Sequence, residues 1–167
     1  NKNDILISKK VKNFISCGIG HDIKTSQELL PIAHDSFDLT LSNLTLHWAN
    51  DLVGILYQIK QLLKPDGFFI ASLFGENTLI ELKESFRIAE GNINGIPSNR
   101  VSPFIDIKTA GNLLQRAGFA LSVSDKDKIQ IKYNHPIDLF QELRLMGETN
   151  SLVDRPKNFL RKDILDK

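Results

Sequence analysis

With 167 residues, 41% of them hydrophobic and 25% charged, the chain has the length and composition of one folded domain and not of a disordered polymer. A net charge of +1 supplies no field that would recruit nucleic acid or an anionic membrane, and no apolar run is long enough to span a bilayer. One cysteine, Cys17, excludes an internal disulfide and suits a reducing, cytoplasmic setting, and the start, NKNDILISKKVKNF, lacks a signal peptide's continuous apolar core.

In chain order, short apolar runs at Asp4–Ser8 and Asn13–Cys17 read equally as strands or as helix edges. Phe37, Leu39 and Leu41 alternate with Asp38, Thr40 and Ser42, which predicts a strand over Phe37–Asn43. Leu52, Ile55, Leu56, Ile59, Leu62 and Leu63 are helically spaced, so Asp51–Leu63 is expected to be a helix capped by Asp51. Lys64-Pro65-Asp66-Gly67 stops it, and Gly67–Phe74 reads as a strand buried on both faces. Thr78–Glu90 returns to helical spacing, with Thr78 and Glu81 placed as a capping box. Gly91–Phe104 is rich in Gly, Asn, Pro and Ser and reads as loop. Asp106–Ala117 is a further amphipathic helix closed by Gly118. Phe119–Ser124 and Lys128–Tyr133 alternate as two strands of a hairpin, and Pro136–Met146 is a last helix begun by its proline. Residues 1–150 form the expected domain and 151–167 a polar tail. The order argues for an α/β layer fold, its parallel strands linked by crossover helices, with an antiparallel pair at one edge.

In such sheets ligands bind beyond the carboxyl ends of the strands. Asn43-Leu44-Thr45-Leu46-His47-Trp48 occupies that place, bringing an amide, a titratable ring and the sole tryptophan together. Core packing for Trp48 and a helix-entry hydrogen bond for His47 are the plainer readings of the same residues. His21, His34, His47 and His135 show no metal-ligand spacing, no serine–histidine–acid signature is present, and no residue is assigned as catalytic.

These residues carry a resemblance. FDLTLSNLTLHWANDL, a helix and then LKPDGFFIASLFG resemble the second half of class I S-adenosylmethionine-dependent methyltransferases. FGENTLIELKESFRIAE, RVSPFIDIKTAGNLLQRAGFALSVSDKDKIQIKY and DLFQELRLMGETN are similar to one subgroup. It comprises the malonyl-carrier-protein methyltransferases of biotin synthesis and the mitochondrial complex I assembly factor related to them. The match runs from about Glu28 to Asn150. It implies a Rossmann-like, mostly parallel sheet with an antiparallel C-terminal hairpin, shortened at its N-terminal half.

The resemblance implies S-adenosylmethionine as cofactor, bordered by Asn43 and Leu44 along its methionine part. His47 and Trp48 would face the cofactor or the substrate, and the loop holding Arg100 and Phe104 would face the substrate. Gly18-Ile19-Gly20 resembles the family's glycine turn in miniature, where small residues let backbone amides approach the ligand. Asp22 is the candidate for the acid that holds the ribose, and Ser26 or Glu28 stands where relatives place an adenine-contacting aspartate. The implied reaction is methyl transfer to a carboxylate or hydroxylation of a protein arginine, on a small-molecule or protein substrate.

Between Gly20 and Leu30-Pro31 there is too little chain for the family's early strands and helices, at ~1.5 Å per residue in helix and ~3.3 Å in strand. Phe37–Asn43 then becomes an open sheet edge, expected to be covered by the N-terminal runs, a second copy or a complementing fragment. The shortened glycine-rich half leaves a second reading open: a non-catalytic remnant or assembly module that binds a protein partner.

Overall fold

The computed structural model describes residues 13, 15–17, 29–94, 99–150 and 155. The expected run Asp4–Ser8, the glycines Gly18 and Gly20, and Asp22, Ser26 and Glu28 lie outside these residues, as does most of the tail after Asn150. The elements in order are strand β1 (Phe37–Asn43), a 3-10 turn (Leu46–Trp48), helix α1 (Leu52–Leu62), strand β2 (Leu63–Ser72), and helices α2 (Ile80–Asn94), α3 (Ile107–Arg116) and α4 (Pro136–Met146). They fall into two compact units. One holds the described residues through Phe74 together with Ile107–Ser124, and the other holds Gly75–Asp106 and the described residues from Asp125 onward.

The first unit is built on a parallel pair, β1 against β2, joined by α1 as the crossover. Asp51 caps α1 as expected, its side chain accepting from the Gly54 N–H at 2.9 Å. At the other end the chain leading into β1 supplies the donors that a helix terminus lacks. Asp35 N donates to Gln61 O at 3.0 Å and Ser36 N to Leu62 O at 2.9 Å. The strand then starts without a gap, at Leu63, earlier than the sequence indicates. The Lys64-Pro65-Asp66-Gly67 turn survives inside it: Leu63 and Phe68 pair with Phe37 and Leu39, so the extra residues bulge out of the ladder, with Asp66 at φ 63°. From Phe68 to Ser72 the register is regular and ends with Asn43 opposite Ser72.

One face of this pair is covered. Leu46, Ile55, Leu56, Ile59 and Ala117 are buried together, with Phe69, Leu113, Leu114 and Phe119 packed on them, and the Phe69 and Phe119 rings stack at 5.4 Å. Each fully buried side chain of this kind contributes about 1.5–3 kcal/mol. Leu30 joins the cluster, its N–H donating to Gln58 Oε1 at 2.9 Å. Among the described residues, no element covers the opposite face. Strand alternation turns Leu39, Leu41, Phe68 and Ile70 away from the core, and Phe68 and Ile70 remain 71% and 58% exposed. The expectation that β2 is buried on both faces is therefore corrected, because among the described residues α1 and α3 pack on one side of the β1–β2 pair and no element packs on the other.

In the second unit, α2 begins at Ile80 and not at Thr78, because Leu79 takes φ 56° and interrupts helical geometry between them. It also runs on to Asn94, through the first residues of the expected loop. Phe86 stacks on Phe140 of α4 at 6.2 Å. A short parallel bridge joins Gly75 to Ile105, with Glu76 N donating to Ile105 O at 3.1 Å. Helix α4 has the predicted bounds; His135 caps its start through Nδ1, which accepts from the Ile137 N–H, and Gly147 closes it at φ 82°.

The expected hairpin is the main difference from the sequence reading. Phe119–Ser124 and Lys128–Tyr133 form no strand, and their alternating Leu121, Val123, Ile129 and Ile131 are exposed. Alternation specifies a strand only when a neighbour accepts its backbone hydrogen bonds. Here the two arms belong to different units, parting at Ser124 and Asp125. Ser122 Oγ closes a local turn on Phe119 O, and Lys126 reaches Glu76 in the second unit at 3.1 Å.

Candidate functional site

The carboxyl end of β1 is a corner held by four residues, Asn43, Leu44, Thr45 and Ser72. Leu44 follows the strand at φ 48°, a left-handed conformation that costs a branched residue about 1–2 kcal/mol. Its N–H is anchored on the neighbouring strand, donating to Ser72 O at 2.9 Å and to Ser72 Oγ at 3.3 Å. Ser72 Oγ in turn donates to Asn43 Oδ1 at 2.5 Å, and Thr45 Oγ1 donates to Asn43 O at 2.9 Å. The Asn43 and Leu44 side chains both face solvent at the strand end.

The 3-10 turn follows directly. Trp48 N donates to Thr45 O at 3.2 Å and Ala49 N to Leu46 O at 3.1 Å, which rotates Leu46 into the core and leaves His47 and Trp48 half-buried. The His47 ring lies 5.1 Å from Trp48 and 4.9 Å from Phe74, tilted to both, so three aromatic rings line the chain beyond the strand ends. Asn43, Leu44, His47 and Trp48, singled out from sequence, are thus gathered in one unit at the carboxyl ends of two parallel strands.

Arg100 and Phe104 belong to the other unit. There Arg100 Nε donates to Glu90 Oε1, and its guanidinium lies 5.6 Å from the centre of the Phe86 ring. Glu90 is 1% exposed and Arg100 16%, so this is a buried ion pair within the unit. Asn150 Nδ2 donates to the backbone oxygens of Asn99 and Arg100 at 2.7 and 2.9 Å and fixes that segment. Gly18 and Gly20 lie outside the described residues.

Sequence reasoning passed over Ser72, Thr45 and Phe74. Ser72 reads as one more residue of an apolar strand; its role depends on its register opposite Asn43, which no local pattern reveals. Among the described residues no group of three or more His, Cys, Asp or Glu side chains could hold a metal ion, and no helix is long and apolar enough to cross a membrane.

Residues 9–71 match the model of a methyltransferase domain. The mitochondrial arginine-hydroxylase NDUFAF5 of Dictyostelium discoideum is 46% identical over 79% of this chain and 30% of its own length. The mouse protein of the same name is 42% identical over 86% of this chain and 42% of its own. The malonyl-acyl-carrier-protein O-methyltransferase of Xylella fastidiosa is 37% identical over 75% of this chain and 41% of its own. A solved methyltransferase-fold structure from Bacillus halodurans superposes with a TM-score of 0.51 at 11% identity, covering 68% of this chain and 52% of that one. Over residues 9–71 the chain is thus similar to a methyltransferase domain, and over most of its length to proteins named arginine-hydroxylase and O-methyltransferase; in fold it is an α/β protein whose two described strands run parallel. It spans less than half the length of these curated relatives.

Proposed function

We propose that the chain binds S-adenosylmethionine along the Asn43–Trp48 corner and serves group transfer to an acceptor beyond the strand ends. The observation that carries this reading is the corner itself, where an exposed amide and a left-handed backbone pinned to the next strand stand beside two aromatic rings. The donor set fits the methionine part of the cofactor: an amide for polar atoms, and Leu44 and Trp48 as apolar walls. When bound, the cofactor supplies an activated methyl on a sulfonium, so the protein's own work is orientation and exclusion of water. Asn43 and Leu44 would hold the amino-acid part, while His47 and Trp48 would shield it and face the acceptor. Gly18 and Gly20 are assigned to the nucleotide part from the resemblance.

The acceptor class is a protein side chain or the carboxylate of a carrier-bound acid. The higher identity to proteins named arginine-hydroxylase supports the first, and the O-methyltransferase relative supports the second. The single cysteine is compatible with the cytoplasm, and the mitochondrial names of relatives support that organelle. The reading includes a second copy or a complementing fragment at the open edge of β1.

Titration with S-adenosylhomocysteine in a calorimeter tests the reading. Saturable heat at micromolar ligand is expected, and absence of heat at millimolar ligand would overturn it.

A further inference from the structure

We infer that Ser72 is a positioning residue that turns the Asn43 amide so that its Nδ2 donors face outward and the strand-end corner selects a ligand oxygen acceptor, foremost a carboxylate. This rests on the proposed ligand site but goes further, because it assigns a polarity to it. The Asn43 side chain has one acceptor and one donor end. Ser72 Oγ receives the Leu44 N–H at 3.3 Å, which leaves its own proton to be donated, and that proton goes to Asn43 Oδ1 at 2.5 Å. The backbone oxygen of Asn43 is taken as well, by Thr45 Oγ1 at 2.9 Å. Both Asn43 oxygens therefore accept a hydrogen bond inside the corner, while the side chain as a whole is exposed. What the residue offers outward is the pair of Nδ2 protons.

A donor pair held in this way favours an oxygen that carries negative charge, because charge-assisted hydrogen bonds are about twice as strong as neutral ones. Ser72 touches no ligand in this scheme. It acts by preventing the amide from turning over, and the anchored left-handed Leu44 stops the corner from sliding along the strand. The carboxylate has two sources, the amino-acid end of the cofactor or an acidic acceptor, and the two are separable by experiment.

The test follows the side-chain amide protons of Asn43 by nuclear magnetic resonance on the full chain, assigned by their disappearance in Asn43→Asp. Three probes are titrated: S-adenosylhomocysteine, 5′-methylthioadenosine, which lacks the amino-acid carboxylate, and malonate. The Asn43 amide pair is expected to shift with S-adenosylhomocysteine or malonate and not with 5′-methylthioadenosine. Affinity read from the responding probe should fall about tenfold in Ser72→Ala, as for loss of one hydrogen bond to a charged group, and stay within about twofold in Ser72→Thr, which keeps the hydroxyl. A response to S-adenosylhomocysteine names the cofactor as source and a response to malonate alone names the acceptor. If S-adenosylhomocysteine moves no resonance anywhere, the cofactor reading fails while a malonate response upholds this one. The inference is overturned if neither carboxylate probe moves the Asn43 pair, if 5′-methylthioadenosine moves it equally, or if a folded Ser72→Ala responds as the parent does.

Discussion

Replacing Arg100 by methionine separates two roles for its charge. If the guanidinium serves a ligand, its loss should leave the fold intact; if it serves Glu90, the loss should be felt by the whole second unit. Glu90 is 1% exposed and receives the Arg100 Nε–H, and the same guanidinium lies over Phe86, which stacks on Phe140. Removing one partner of a buried pair costs about 3–5 kcal/mol, because the remaining charge loses its compensation. The lost contact with the aromatic face adds roughly 0.5–2 kcal/mol. For a chain of this size each kcal/mol moves the melting temperature by about 2–4 °C, so Arg100→Met should melt at least ~6 °C below the parent. The double variant Glu90→Leu/Arg100→Met removes both charges and should recover most of that loss. Urea and thermal unfolding followed by circular dichroism measure both. An Arg100→Met variant within about 1 kcal/mol of the parent would refute the reasoning and return Arg100 to the role that the family resemblance implies.

Four further outcomes are expected. Asp51→Ala should cost about 1 kcal/mol by removing the cap from the first turn of α1. A Cβ at Gly54 would lie 2.3 Å from Asp51 Oδ2, so Gly54→Ala should stabilise the helix in the Asp51→Ala background and not in the parent, as measured by a double-mutant cycle. Leu44→Asn should raise the melting temperature, since asparagine tolerates the left-handed backbone at φ 48° better than leucine does and the Leu44 side chain is largely exposed. The Tyr133 phenol donates to Glu142, and that hydrogen bond, ahead of burial and the neighbouring negative charge, holds its pKa above the ordinary value. Because the folded chain then keeps the proton more tightly than the unfolded one, the contribution is complete below about pH 10 and is lost as pH rises through the raised folded value. Tyr133→Phe should flatten that alkaline loss, and the phenolate absorbance step that it removes should lie above the usual tyrosine range.

What could be read beforehand divides along a physical line. Elements whose specification is local were legible: Phe37–Asn43 from strict alternation, α1 from its apolar spacing and Asp51, α4 from Pro136 and Gly147. Features set by a partner far along the chain were not. The alternation at Phe119–Ser124 and Lys128–Tyr133 is genuine, but whether it becomes a ladder depends on a neighbouring edge that the sequence of those residues does not contain. The same holds for the sheet faces: apolar Phe68 and Ile70 look like core residues until the side on which α1 and α3 pack is known. At the site, Asn43, Leu44, His47 and Trp48 were visible because they break a pattern. Ser72 was invisible because it continues one, and its importance comes from lying opposite Asn43, 29 residues away. Arg100 was visible as a charge, yet nothing local disclosed that a glutamate ten residues earlier in the chain claims it.

A sheet dressed on one side only behaves like half of a sandwich. Leu39 and Leu41 on one strand lie in register with Phe68 and Ile70 on the other, so their outward groups form one continuous oily strip. Fully covering four such groups would contribute roughly 1.5–3 kcal/mol apiece, comparable with the ~5–15 kcal/mol that holds a typical folded chain together. The measured robustness of this molecule is therefore expected to depend on its own concentration and on its company in solution, and melting curves recorded across a dilution series would make that dependence visible.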